Sequence, residues 1–378
     1  MEQDILRAMA GRMEVYLKDL GDLVGLDTPS DEPLMTARLL DLVAPRLAGL
    51  GAQIARPAQD ILRADFAGSP GEPILLLVHA DTVFPSGEAL RRPLRTEEGR
   101  AYGPGVADMK GGIALLLSLL EVLREQGARP GALRILVTGD EETGAARSAG
   151  EIERAAQGVR AALVLEPGRE NGAIVSARKA VGTFQLEAAG IEAHAGVEPW
   201  RGASAVHEIS RRVAAIAELS NRLPDVHFNV GRIEGGSRPN VVAGAARCAI
   251  DVRVPTVRDM ETARRLLSEA ALAGGDPRVE LSLTGGFASP PLERTPASET
   301  LLRHARAAAL AAGFELEDVA TGGGSDGNRV AAMGVPVLDG LGPVGGRAHS
   351  EEEYLVLASV PERAALLGGL MLRLGRTG

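Results

Sequence analysis

The sequence predicts an α/β protein in which a larger domain, residues 1–180 and 287–378, is interrupted by a smaller α+β domain over residues 181–286. Two observations predict it. In the larger domain, short runs that are apolar throughout alternate with amphipathic helical segments, as strands covered on both faces require. From Val181 the strands instead alternate apolar and polar residues, the pattern of an antiparallel sheet covered by helices on one side only. A length of 378 residues, 45% hydrophobic and 24% charged, is enough for two domains with cores of their own.

The elements follow in order. The opening MEQDILRAMAGRMEVYLKDL is amphipathic and acidic, without the basic start, apolar middle and small-residue cleavage site of a signal peptide, and no run reaches membrane-spanning length. A cytoplasmic protein with no membrane partner is expected. ILLLVH (Ile74–His79), LRILVT (Leu133–Thr138), ALVL (162–165) and VPVL (335–338) read as buried strands. Between the first two, GGIALLLSLLEVLREQG has helix length and ends in Gly127, a plausible stop. In the smaller domain Phe184, Leu186 and Ala188 share one face of a strand, with Thr183, Gln185 and Glu187 on the other. Cys248, Ile250, Val252 and Val254 oppose Arg247, Ala249, Asp251 and Arg253 in the same way. SAVHEISRRVAAIAEL supplies a covering helix, with Val206, Ile209, Val213 and Ile216 at helical spacing. The stretch FASPPLERTP marks the return to the larger domain.

Charge and cysteine content narrow the chemistry. A net charge of −9 with no basic run argues against nucleic acid as a partner. The single cysteine, Cys248, excludes an internal disulfide framework and a thiolate-built zinc site. A metal here needs imidazole and carboxylate ligands.

Such residues collect where strands end. His79 closes ILLLVH, with Asp81 two residues on; Asp108 follows the glycine-containing loop AYGPGVADMKGG; Glu166 stands in LEPG; His349 lies in GPVGGRAHSEEEY. Asp140, Glu141 and Glu142 stand in a row directly after the apolar run LRILV, where they repel one another unless a cation is present. In open α/β sheets ligands gather beyond the carboxyl ends of the strands, so these groups are able to converge. His79, Asp108, Glu142, Glu166 and His349 are the candidate ligands. A catalytic zinc usually takes three protein ligands, and a carboxylate can bridge two ions about 3.5–4 Å apart. Five residues, one of them bridging, therefore serve two open sites. Asp81 is placed to fix the tautomer of a metal-bound His79, and Glu141 remains as a carboxylate able to take a proton from an acidified water. Asp140 is expected to face solvent.

HADTVFP, GPGVADMKGG, DEETG, LEPG, RKAVGTF, AHAG, RPNVV, DVR, TGGGSD and HSEEEY together resemble the dinuclear-zinc aminoacylase and carboxypeptidase superfamily. The resemblance runs from about Leu75 to the C-terminus. It implies a zinc-exopeptidase-like domain with a mixed central sheet flanked by helices. It also implies an inserted lid and dimerisation domain, a four-stranded antiparallel sheet with two helices. His79 and Glu166 would hold one Zn2+, Glu142 and His349 the other, with Asp108 bridging, Glu141 as general base and Asp81 behind His79. Co2+ or Mn2+ can substitute in such sites. Family members often have a cis peptide bond after the bridging aspartate.

For substrate, Arg253 offers a planar two-point contact to a carboxylate that lysine does not. The resemblance gives that role to DVR, and adds Asn240 and the main chain around Gly323, Gly324 and Ser325. Arg178 and Lys179 are candidates for a second acidic group, or form only a solvated hinge. His194 resembles the histidine that donates to the developing oxyanion from a partner subunit. The expectation is a zinc-dependent amidohydrolase of small peptides or N-acyl amino acids, nearest to glutamate carboxypeptidases and working as a homodimer. Deacylases, desuccinylases and dipeptidases are the same-class alternatives. A noncatalytic metal-binding scaffold is the remote one, disfavoured because it has no use for Glu141.

Overall fold

ILLLVH forms the strand Ile74–His79, buried along its whole length, near the middle of a six-stranded sheet in a computed structural model that describes residues 1–68 and 71–376. The strand order is Gln53–Ala58, Ile61–Phe66, Leu133–Thr138, Ile74–His79, Ala161–Val164 and Val337–Leu338. The first two pairings are antiparallel and the remaining three parallel, so the sheet is mixed. The parallel strands are those whose sequences are apolar throughout. The helix Gly111–Glu125 is likewise apolar on nearly every side and is buried on nearly every side, as a helix sealed inside a core requires. Gly127, at φ +66°, lies just beyond its end, a conformation that glycine adopts without the usual Cβ penalty. The helix Pro296–Ala312 starts with a reciprocal cap between Thr295 and Ser298 and has proline in its first turn.

A second, small sheet matters more for the site. It contains Gly345–Gly346, Tyr354–Val356, Arg100–Tyr102 and Arg95–Glu97, in that order. The loop carrying Asp108 leaves Tyr102, and the loop carrying His349 joins Gly346 to Tyr354. Pairing of Tyr354 with Tyr102 fixes the roots of both loops side by side.

The chain forms two units by its internal contacts, one of residues 1–177, 294–320 and 325–378, the other of residues 178–293 and 321–324. The second contains an antiparallel sheet in the order His227–Gly235, Ala245–Val254, Ala180–Ala189, Glu280–Ser289. Phe184, Leu186, Cys248, Ile250 and Val252 are buried in its core against the helices Ala205–Ala217 and Val257–Leu272. Their first turns are capped by Ser204, which accepts the His207 N–H, and Thr256, which accepts the Asp259 N–H. This unit is wider than residues 181–286, because the strand Glu280–Ser289 runs on past Gly286 and residues 321–324 pack with it. The architecture is thus a mixed α/β sheet domain with a separate antiparallel four-stranded sheet carrying two helices. Among the described residues no helix is long and apolar enough to cross a membrane.

Candidate metal centre

Three neighbouring parallel strands end at one level, and each delivers an acidic or imidazole group there. His79 closes its strand in register with Thr138. Asp140, Glu141 and Glu142 follow Thr138 directly, and Glu166 comes two residues after the strand Ala161–Val164. The two loops rooted on the small sheet add Asp108 and His349. His349 adopts a left-handed backbone conformation, φ +64°, and the bond between Asp108 and Met109 is cis.

The distances describe two groups sharing one carboxylate. Asp108 Oδ1 lies 3.0 Å from His79 Nε2 and its Oδ2 lies 3.4 Å from His349 Nε2. Glu166 Oε1 is 3.6 Å from the same nitrogen of His79, and Glu142 Oε2 is 3.0 Å from the same nitrogen of His349. Ligand atoms of His79, Asp108 and Glu142 all lie within 4.8 Å of one another, as do those of His79, Glu141 and Glu166. Glu141 is therefore itself among the acids that could hold a cation.

The electrostatics show why this donor set fits divalent cations. Burial pushes the Glu141 and Glu166 carboxyls well above the usual range, and neighbouring acids add to it, chiefly Asp326 for Glu141 and Asp108 for Glu166. Burial also raises Glu142, against the hydrogen bond from His349. Asp326, itself buried, is pushed up to about 6. For Asp108, burial raises the pKa, but hydrogen bonds from His349 and His79 outweigh it and hold the carboxyl well below the usual range. His349 is raised to about 10 by its hydrogen bonds to Asp108 and Glu142. Burial works against the charged form of His79, yet hydrogen bonds to Asp108 and Asp81 lift it well above its ordinary value. Protons on the imidazoles and carboxyls thus neutralise what two dications would neutralise.

Asp81 does more than back His79. His79 Nδ1 is 3.0 Å from the Asp81 carbonyl oxygen and 3.4 Å from Oδ1, so the main chain makes the shorter contact. The fully buried Asp81 carboxylate accepts the N–H groups of Glu141 and Glu142, each at 3.2 Å, and the Ser30 hydroxyl at 2.7 Å. It ties His79 to the acidic turn. Ser30, in the turn TPSDEP, carried no sequence signal of this. Asp140 does not face solvent. It is 1% exposed, and its Oδ2 accepts the Arg147 N–H at 2.6 Å. The Arg147 guanidinium in turn donates to Asp60 and to the carbonyls of Gly139 and Ser30. Asp140 therefore braces the turn from below.

The expected substrate residues divide between the two units. Arg178, Arg253, Asn240, His194, Gly323 and Gly324 belong to the second, and Ser325 to the first with the candidate metal ligands. Arg178 is buried and donates to the carbonyls of Gly323 and Gly324, each at 3.2 Å. Arg253 donates through Nε and Nη2 to both oxygens of Asp251, at 2.8 and 2.9 Å, and through Nη1 to the Gly322 carbonyl. Asn240 is exposed, and its carbonyl accepts the Ala195 N–H. His194 is exposed, and its Nδ1 accepts the Gly196 N–H at 3.1 Å. In the neutral ring that contact leaves the proton on Nε2. Ser325 is engaged internally: its N–H donates to Asn328 and its hydroxyl to Asp339. Lys179 donates to the Asp225 carbonyl.

Comparison with known proteins adds to this geometry. The sequence model of the family described as peptidase family M20/M25/M40 matches residues 75–373. The chain is 28% identical to carboxypeptidase G2 of Pseudomonas sp. (strain RS-16) over 381 residues, covering 98% of this chain and 92% of that protein. It is 28% identical to the succinyl-diaminopimelate desuccinylase of Alkalilimnicola ehrlichii over 365 residues, 90% of this chain and 94% of that one. Among solved structures, aminopeptidase PepT from Bacillus cereus superposes with a TM-score of 0.84 at 21% identity, covering 96% of this chain and 99% of that chain, a likeness of fold.

Proposed function

The chain belongs to peptidase family M20/M25/M40, metallopeptidases that hydrolyse amide bonds in peptides or acyl amino acids, and on that premise we propose that it is a carboxypeptidase releasing a C-terminal glutamate-like residue. The observation that supports this reading is Asp108 lying between His79 and His349, one oxygen toward each, with Glu141 close to His79 and Glu166 beside it. The similarity to carboxypeptidase G2 over nearly the whole chain supports the substrate class.

In this reading His79 and Glu166 would hold one cation and Glu142 and His349 the other, with Asp108 serving both; Zn2+ would suit such ligands, and Co2+ or Mn2+ could substitute. When bound, the cations polarise the scissile carbonyl and bring the pKa of a water from about 15.7 to near 7. Glu141 takes the proton of the attacking water and passes it to the amide nitrogen, which leaves as an amine. Asp81 keeps Glu141 and His79 in place through the contacts described above. His194, carrying its proton on Nε2, donates to the oxyanion from the partner subunit of a homodimer built on the second unit, which also serves as the lid. Arg253 receives the substrate carboxylate, exchanging contacts with Asp251 as it does so. Asn240 and the main chain of Gly323 and Gly324 add substrate contacts, and Arg178 favours an acidic side chain. Ser325, with its N–H and hydroxyl engaged, supports the loop.

A second reading, an N-deacylase or desuccinylase of amino acids, is favoured by the similarity to the desuccinylase. A panel of N-acyl amino acids and dipeptides assayed with the Zn2+-loaded protein separates the two. Preference for a C-terminal glutamate across different acyl groups supports the carboxypeptidase, whereas preference for one acyl group, such as succinyl, across different amines overturns it.

A further inference from the structure

We infer that Glu353 is a positioning residue for the metal centre, setting the place of Asp108 relative to His349. Glu353 is 1% exposed. A carboxylate so placed is costly unless its oxygens are satisfied. They are satisfied by the main chain of the Asp108 loop. Oε1 accepts the N–H groups of Ala107 and Asp108, at 2.8 and 3.0 Å, and Oε2 accepts that of Gly105 at 3.1 Å.

The loop is also tightly packed. Gly105 adopts φ +72°, and a Cβ there would meet the Thr82 side chain at 2.6 Å. On the opposite side Gly345 packs so closely that a Cβ on it would meet Ala107 Cβ at 2.5 Å. Gly345 and Tyr354, Glu353's neighbour, lie on the paired strands whose connecting loop carries His349. One hairpin therefore carries His349 at its loop and grips the Asp108 loop at its base. The 3.4 Å between Asp108 Oδ2 and His349 Nε2 is set by that grip.

The inference rests on reading Asp108 as the shared ligand, and its test uses Co2+ binding to the metal-free chain, with no substrate present. Glu353→Ala should weaken binding of both ions together by about 10–100-fold, the usual cost of losing a residue that orients a ligand. Glu353→Gln keeps a carbonyl oxygen for Ala107 and Asp108 but turns an amide toward the Gly105 N–H, and should fall between. If the alanine variant does not fold, the glutamine variant decides. Tyr16→Phe removes another buried hydrogen bond at the start of the following helix, Tyr16 hydroxyl to Gly111 carbonyl at 3.2 Å. It should lower the thermal midpoint of the metal-free chain without altering Co2+ affinity. Folded Glu353→Gln with unchanged affinity for both ions, selective loss of one ion, or an equal loss in Tyr16→Phe would each overturn the inference. Asp108→Asn, measured in parallel, distinguishes the premises. If it still binds both ions normally, the shared-ligand reading fails and takes the inference with it. If it loses them while the Glu353 variants do not, the inference alone fails.

Discussion

Glu141 and Glu142 are chemically identical neighbours, and the turn that Asp81 holds gives them different surroundings. Glu142 lies 3.0 Å from His349 Nε2, whereas Glu141 keeps company with His79 and Glu166. If Glu141 moves protons and does not hold metal, Glu141→Gln should retain two equivalents of Zn2+ while kcat falls by about 10²–10⁴-fold or more. Metal analysis that finds one equivalent missing would make Glu141 a ligand. The imidazoles make a second prediction. In the metal-free chain His349 is raised to about 10 and His79 well above its ordinary value, so at neutral pH both carry protons that the cations must displace. Zn2+ loading should release at least about two protons near pH 7, and apparent affinity should rise with pH until about pH 10. Calorimetry in buffers of different ionisation enthalpy measures that release, and none would refute the assignment. The same shifts have a stability consequence. Groups that bind protons more tightly folded than unfolded stabilise the metal-free chain fully below their unfolded pKa, about 6.5 for histidine. For His349 that contribution is lost as pH rises toward about 10, so melts of the metal-free protein should show a midpoint falling over that interval.

Elements decide which residues could be read in advance. The candidate ligands could be picked out because each stands at the end of a run whose apolar pattern already fixes it as a strand, or in a glycine-bounded loop beside one. The burial of Asp140 was not, since its reason is Arg147, seven residues on, which turns back to hold Gly139 and Ser30. Period and spacing say which side of a strand a residue takes, and nothing about a side chain that folds back under its own turn. The strand Ala245–Val254 shows both sides of this. Alternation put Asp251 and Arg253 on one face, and their bidentate pairing follows from that placement; the Gly322 carbonyl on Nη1 comes from residues far along the chain. If Arg253 binds the substrate carboxylate, Arg253→Lys should lower kcat/KM for free-carboxylate substrates by at least about tenfold, because a planar fork becomes a point charge. Equal rates on C-terminally amidated and free substrates in the unaltered enzyme would show that no such clamp operates.

At the scale of the whole molecule, the candidate ligands belong to one unit and His194 to the other; if the chain is a homodimer in which His194 donates to the oxyanion, a sequence read as one chain does not say which copy's His194 serves which site. The ring is suited to donation, since the Gly196 N–H on Nδ1 leaves the proton on Nε2. Loss of one oxyanion donor typically costs about 10²–10³ in kcat, so His194→Ala should be nearly inactive while keeping its metals. That result alone does not separate a donor in the same chain from one in the partner. Mixing does. When His194→Ala and Glu141→Ala chains are dissociated together and allowed to reassort, half of the dimers formed at random contain one of each. If His194 acts across a twofold interface, one site of a mixed dimer combines both defects. The other takes Glu141 from the His194→Ala chain and His194 from the Glu141→Ala chain, and is whole. One good site of two in half the dimers returns about a quarter of full activity. If His194 serves its own chain, every site retains one defect and no activity returns, however completely the subunits exchange. Exchange is verified separately with chains of two masses, so a silent mixture with proven exchange assigns His194 to its own subunit.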